Sequence, residues 1–241
     1  MVATMPGGRR AIVSVSDKLG IADFSKGLVS LGYEILATDG TAKALRAAGV
    51  PVRGVSEYTG QPEVLGGRVK TLHPKIFAAI LAVDGSEDEL ARYGIDPVDL
   101  VVANLYPFEE TVAKPRVTHA EAVENIDIGG VSLIRAAAKN ADRVTVVVRP
   151  SRYAEVLDAL RGGGVPKPMR ESLALEAFEY TSGYDAAIYN YLARRAGPGF
   201  PPAMRLALPK GADLRYGENP YQRAALYLEP WRTAGVGTAE R

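Results

Sequence analysis

Cysteine is absent from all 241 residues, and histidine occurs twice. Disulfides and thiolate metal sites are thereby excluded, no histidines stand at metal-ligand spacing, and an intracellular, cytoplasmic location is expected. No run approaches the roughly 20 apolar residues that span a bilayer. The opening MVATMPGGRR lacks the apolar core of a secretory signal. A strong charge of either sign is also missing: 29 basic residues face 28 acidic ones, for a net charge of +1. That argues against a surface built to grip nucleic acid. What remains is a globular composition, 47% apolar and 24% charged, in a chain longer than one typical domain but not clearly two.

In so balanced a chain, a local excess of one sign is informative. GGRVKTLHPK (66–75) puts Arg68, Lys70, His73 and Lys75 directly after two glycines. Arg68 offers a planar two-pronged grip on phosphate, Lys70 a point charge and Thr71 a hydroxyl, while the glycines let backbone approach a ligand. The same residues would also suit a solvated face. His73 before Pro74 reads as structural. A cluster this small suits a phosphate monoester better than a polymer.

The first 150 residues alternate short β-branched runs with amphipathic patterns, the mark of a parallel α/β sheet. Strands are expected at 10–16, 33–38, 50–55, 98–105 and 143–148. Between them, Ile21, Phe24, Leu28 and Leu31 recur at helical spacing, and Gly32 stops that helix. Ser86 with Glu89 and Thr118 with Glu121 match the capping box. A long helix is expected over 169–195, with Leu173, Phe178, Tyr184, Ile188 and Tyr191 as its buried face. GPGFPPA (197–203) reads as a linker, and the polar end beyond it has too little apolar sequence for its own core.

Ligands of open α/β sheets collect beyond the carboxyl ends of the strands. SVSDKLG brings Ser14, Ser16 and Lys18 to one such end, and TDGTAK brings Thr38, Gly40 and Thr41 to the next. Hydroxyls and amides at helix starts make anion sites, although Ser and Thr are also ordinary caps. VVANLYPF supplies Asn104 and Tyr106. In NIDIGGVSLIRAAAKN, Asp127 precedes two glycines and a helix that carries Arg135 and Lys139. Two readings stay open there. Asp127 and Lys139 either cap the helix and complement its dipole, or form an ionised pair in a pocket with the Ile128 and Gly129 amides aimed at a carbonyl oxygen.

The motifs SVSDKLG, DGTAKAL, VSEYTGQPEVLGGRVKTLHPKI, NLYPFEETVA, ENIDIGG and LIRAAAKN together resemble the IMP cyclohydrolase domain of the bifunctional AICAR formyltransferase/IMP cyclohydrolase family. The resemblance runs from about residue 10 to 195 and continues through LRYGENPYQ, where the family's formyltransferase domain opens. It implies a methylglyoxal-synthase-like α/β fold, a mostly parallel sheet flanked by helices, with a C-terminal helical segment. Residues 1–196 would be the cyclohydrolase domain, and 197–241 a linker and the start of the formyltransferase domain. The implied reaction closes FAICAR to IMP with loss of water, in the cyclic amidine hydrolase class and with no cofactor or metal. Formyl transfer is not expected of this polypeptide.

By the same resemblance, Ser16, Lys18, Thr38, Gly40 and Thr41, with Arg68, Lys70 and Thr71, form the phosphate and ribose end. Asp127 and Lys139 polarise and deprotonate the carboxamide. Lys70, Tyr106 and the amides of Ile128 and Gly129 steady the formyl oxygen, and Asn104 orients the base. A homodimer is implied, with no nucleic-acid or membrane partner. Three positions depart from the family pattern: Asp39 in a turn that usually has two glycines, Phe77-Ala78-Ala79 where a histidine, a small residue and glycine are usual, and Tyr221 in place of a histidine. Asp39 is expected to turn away from the phosphate, since its charge would repel it. Methylglyoxal synthase, or a nucleotide-sensing regulatory domain of the same fold, remains an alternative.

Overall fold

Five strands, four of them built on apolar runs, all run the same way. The computed structural model describes residues 8–62, 64–197 and 199–228. Its strands are β1 (Arg9–Ser14), β2 (Tyr33–Ala37), β3 (Arg53–Gly54), β4 (Leu100–Ala103) and β5 (Thr145–Val147). They lie in the order β3-β2-β1-β4-β5, and every neighbouring pair is parallel. Such a sheet is covered on both faces, which is why its strands read as unbroken apolar runs. Ile12, Val13, Leu36, Val101 and Val102 are all fully buried.

The order reverses at β1. The chain moves outward through β2 and β3, then returns to place β4 on β1's other side. That is the switch point where open α/β sheets bind ligands. Register brings the ends together: Val13 pairs with Ala37, and Ser14 with Ala103. Thr38 and Asn104, the next residue in each case, therefore leave the sheet close to Ser14.

The helices over the sheet are α1 (Ile21–Ser30), α2 (Asp39–Ala47), α3 (Val55–Thr59), α4 (Pro74–Leu81), α5 (Glu87–Arg92), α6 (Phe108–Ala113), α7 (His119–Glu124), α8 (Gly129–Lys139), α9 (Tyr153–Arg161) and α10 (Lys167–Arg195). α1 buries Ile21, Phe24 and Leu28, as its spacing predicts. Phe24 stacks on Tyr153 with ring centroids 4.4 Å apart. Burying one such ring stabilises the fold by about 1.5–3 kcal/mol. His73 is the N-cap of α4, its Nδ1 accepting from the Lys75 amide at 3.1 Å, which is the structural role expected of it.

Local signals fared unevenly. Thr118 and Glu121 form their capping box: the Glu121 amide donates to the threonine hydroxyl at 3.2 Å, and the Thr118 amide to the glutamate at 2.8 Å. Ser86 does not cap α5. Its hydroxyl instead donates to the Val83 carbonyl at 2.6 Å and accepts from the Val83 amide, closing the turn behind it. The buried face of α10 is Arg170, Leu173, Ala174, Ala177 and Thr181. Of the expected stripe only Leu173 belongs to it; Phe178 is 39% exposed. Small side chains let the helix approach its support closely, so bulk was a poor guide to which side faces inward.

The chain divides into two units, one ending at Thr181 and one beginning at Ser182, within α10. In the second, the Tyr189 hydroxyl donates to the Ala203 carbonyl at 2.6 Å, and β6 (Lys210–Leu214) pairs antiparallel with β7 (Ala224–Tyr227). Residues from 229 onward, the polar end of the sequence, lie outside the described residues. No helix among the described residues is long and apolar enough to cross a membrane.

Candidate active site

The loop leaving β1 is held from both sides. Asn104, 7% exposed, accepts from the amides of Ser16 at 2.6 Å and Asp17 at 2.9 Å, and donates to the Asp17 carbonyl at 3.1 Å. On the other flank, the Thr41 hydroxyl lies 3.2 Å from both the amide and the carbonyl of Val15. The Ser14 and Thr38 hydroxyls meet at 3.2 Å. These polar groups shape the wall of the site through the backbone. Asn104 in particular is engaged by three backbone groups, which differs from its expected role of orienting a base. Lys18 folds back so that its ammonium donates to the carbonyls of Val15 and Ser16. Burial there pushes its pKa down, and the like charge of Lys70 adds to this, while Asp17 opposes it.

The segment from Leu65 to Gly67 is a tight turn in which three successive residues have positive φ: 54°, 63° and 88°. Glycine adopts this freely at 66 and 67, whereas Leu65 carries strain on the order of 1 kcal/mol. An antiparallel bridge between Val64 and Val69 closes the turn, and Arg68 and Lys70 follow from it. The Arg68 guanidinium is taken up by Glu124, the last residue of α7.

Asp127 stands before α8. Its carboxylate accepts from the Gly130 amide at 2.7 Å and from the amide of Tyr106. The two glycines are required by closeness. A Cβ on Gly130 would come within 2.7 Å of the Asp127 carboxylate and 2.9 Å of Leu105, and one on Gly129 within 2.8 Å of the Thr71 hydroxyl. Burial pushes the Asp127 pKa above its ordinary value, against the pull of the two amides and the positive charge of Lys70.

These segments enclose a cavity of about 690 Å³. It lies in the size range of small-molecule sites. Ser16, Lys18, Thr38, Gly40 and Thr41 line one part of it; Arg68, Lys70, Thr71, Asn104, Tyr106, Asp127, Ile128 and Gly129 line the rest. Asp39 is the first residue of α2, exposed, and outside the lining, as expected of a side chain turned from the site.

Lys139 is the one expected residue that the chain does not bring to this cavity. It ends α8, whose 11 residues separate it from the Asp127 end by roughly 16 Å at 1.5 Å per residue. Its side chain is exposed, on the same outward face as Arg135, whose guanidinium lies over Phe178. The cation acting on Asp127 is Lys70, not Lys139. Sequence reasoning also missed Glu124 and Asn125, which line the cavity beside Asp127. Both lie in the ENIDIGG motif, but 56 residues separate Glu124 from Arg68 and no periodicity joins them.

The family model for the AICARFT/IMPCHase bienzyme matches residues 137–241, and that for the MGS-like domain matches residues 20–132. The bifunctional purine biosynthesis protein PurH of Rhodopirellula baltica is 52% identical, over 92% of this chain and 43% of its own length. PurH of Bacillus mycoides is 49% identical, over 97% of this chain and 47% of its own. The crystal structure of ForH is 37% identical with a TM-score of 0.70, covering 77% of this chain and all of that one. The chain belongs to the AICARFT/IMPCHase family. It spans less than half the length of these bifunctional PurH relatives. The MGS-like match covers β2, β3 and β4 and the segments that carry Thr38, Arg68, Lys70, Asn104, Tyr106 and Asp127, so most of this cavity's lining falls within it.

Proposed function

We propose that this chain is an IMP cyclohydrolase of the cyclic amidine hydrolase class, closing FAICAR to IMP with loss of water at the end of de novo purine biosynthesis. One observation carries the reading: a single cavity is lined by three cations, Lys18, Arg68 and Lys70, and by a half-buried carboxyl, Asp127, fixed by two backbone amides.

The reaction needs little beyond placement. Both reacting groups belong to one molecule, so holding them in near-attack geometry supplies much of the acceleration. Lys18 and Arg68 anchor the phosphate, remote from the bond being made, and that binding energy serves to orient the rest. The carboxamide nitrogen then bonds to the formyl carbon, and the formyl oxygen leaves as water with two protons drawn from the nitrogens. Asp127 accepts a proton from the attacking nitrogen; its raised pKa makes it a stronger base than an ordinary carboxylate. Lys70 and Tyr106 face the formyl oxygen as it gains charge, helped by the Ile128 and Gly129 amides at the start of α8, which lack intrahelical partners. Lys139 has no step in this scheme.

A spectrophotometric assay of FAICAR conversion to IMP on the purified chain tests the reading. Turnover supports it. Methylglyoxal formation from dihydroxyacetone phosphate without IMP formation replaces it with a methylglyoxal synthase, and calorimetric binding of IMP without turnover replaces it with a sensing domain. A homodimer and a cytoplasmic location are proposed with the activity, supported by the family likeness; sedimentation of the purified chain measures the former.

A further inference from the structure

Leu105 sits between two residues that hold different parts of the site. Asn104 staples the Ser16–Asp17 loop, and the Tyr106 amide donates to Asp127. Leu105 is 4% exposed, so its amide depends on a protein acceptor. That acceptor is the Tyr180 hydroxyl of α10, at 3.1 Å. The Leu105 side chain in turn fills the space in front of Gly130, whose amide is the other donor to Asp127.

Tyr180 is itself held without help from its hydroxyl. The Arg149 guanidinium lies over the ring, 5.6 Å from its centroid. Arg149 is anchored by Glu176 at 3.1 Å and Glu179 at 2.8 Å, both on α10, and Arg152 also donates to Glu176 at 3.1 Å. Ring and hydroxyl therefore have separable jobs. Stacking places the tyrosine, and its oxygen reaches the strand exit.

We propose that Tyr180 is a positioning residue for the ring closure assigned above: by accepting from Leu105 it fixes the Asn104–Tyr106 segment and so sets the Asp127 carboxylate against the substrate. The inference rests on the cyclohydrolase reading. It assigns Tyr180 no contact with substrate. The phosphate end is reached only indirectly: Arg68 lies on another segment, and the loop that carries Lys18 is held by the Asn104 side chain, not by the Leu105 amide.

Tyr180→Phe removes the acceptor and leaves the ring beneath Arg149. One orphaned buried amide predicts a fall in kcat of about tenfold. KM should stay within about twofold, because Asn104 keeps its own three hydrogen bonds to the loop that carries Lys18, and Arg68 lies on another segment. Amide hydrogen exchange at Leu105 and Tyr106 should quicken alongside. Faster exchange with kcat per folded molecule unchanged would leave Tyr180 a packing residue and overturn the proposal, as would a rise in KM alone. Should Y180F fail to fold, Arg149→Gln keeps the hydroxyl but frees the ring; it should quicken Leu105 exchange and lower kcat, and an unchanged kcat overturns the proposal. Wild-type chain that converts no FAICAR sinks both readings, whereas full wild-type activity with an unimpaired Y180F sinks this one alone.

Discussion

Arg68 and Glu124 meet at the cavity as guanidinium and carboxylate, from segments 56 residues apart. The contact changes what an incoming phosphate encounters. Arg68 is not a waiting charge; it is already engaged, and Glu124 holds its pKa above the usual arginine value. An anionic ligand must draw the guanidinium from its partner. Glu124→Gln should therefore tighten IMP binding, by about threefold given how little exposed ion pairs contribute. Calorimetry at low salt reads the change. Unaltered or weaker binding would mean that Arg68 stays with Glu124 when the cavity fills.

The pH dependence of turnover follows from Asp127. Burial raises its pKa above 3.8, and the base is active only when ionised, so kcat must rise with pH through that raised value. The acid limb of kcat at saturating FAICAR should have its midpoint above 3.8. Asp127→Asn should lose the limb and at least about a hundredfold in kcat. On the alkaline side, Lys18 loses its proton below the ordinary 10.5, first because its ammonium is partly desolvated, and kcat/KM should fall there as the phosphate anchor weakens. An acid midpoint at or below 3.8 would remove Asp127 from the base role.

Much of this was legible in the sequence, for reasons that can be named. Strand ends were readable because a parallel sheet buries both faces, and β1, β2 and β4 announce themselves as apolar runs closed by Ser14, Thr38 and Asn104. The cluster at Arg68 and Lys70 stood out because the net charge is near zero. What failed was side-chain direction. Lys139 shares a helix with Gly129 and Gly130, but an 11-residue helix carries its last residue away from the cavity. Asn104 was recognised as a site residue, and its amide turned out to serve the Ser16–Asp17 backbone. Ser86 carried a capping signature yet closes a turn, since its own neighbour Val83 offers both partners nearer by. Pairings across long separations, such as Arg68 with Glu124 or Leu105 with Tyr180, leave no mark in local spacing.

The close approach at Gly130 makes a sharper test than residue type. Alanine there must displace the Asp127 carboxylate or Leu105. Overpacking of this kind costs about 1–3 kcal/mol, which lowers the Tm of a chain this size by about 2–12 °C. Gly40→Ala is the matched control. It also lines the cavity, but nothing lies within 4 Å of the added methyl. In a helix that change should stabilise by up to about 1 kcal/mol. Equal thermal shifts in the two variants would contradict the packing described.

Asn104 separates holding the wall from touching the substrate. Asn104→Ala strands the Ser16 and Asp17 amides and the Asp17 carbonyl at once. These groups are only partly buried, so their loss costs about 1 kcal/mol and the melting temperature should fall modestly. The loop that loosens also carries Lys18, whose ammonium is set by the Val15 and Ser16 carbonyls. KM should therefore rise more than kcat falls, since phosphate anchoring is lost before the chemistry at Asp127 is disturbed. Asn104→Asp offers the decisive comparison: a carboxylate still accepts from both amides but cannot donate to the Asp17 carbonyl. It should recover most of the lost KM if the amides matter most. A kcat defect with KM intact in both variants would instead place Asn104 against the reacting groups, as the family resemblance first suggested.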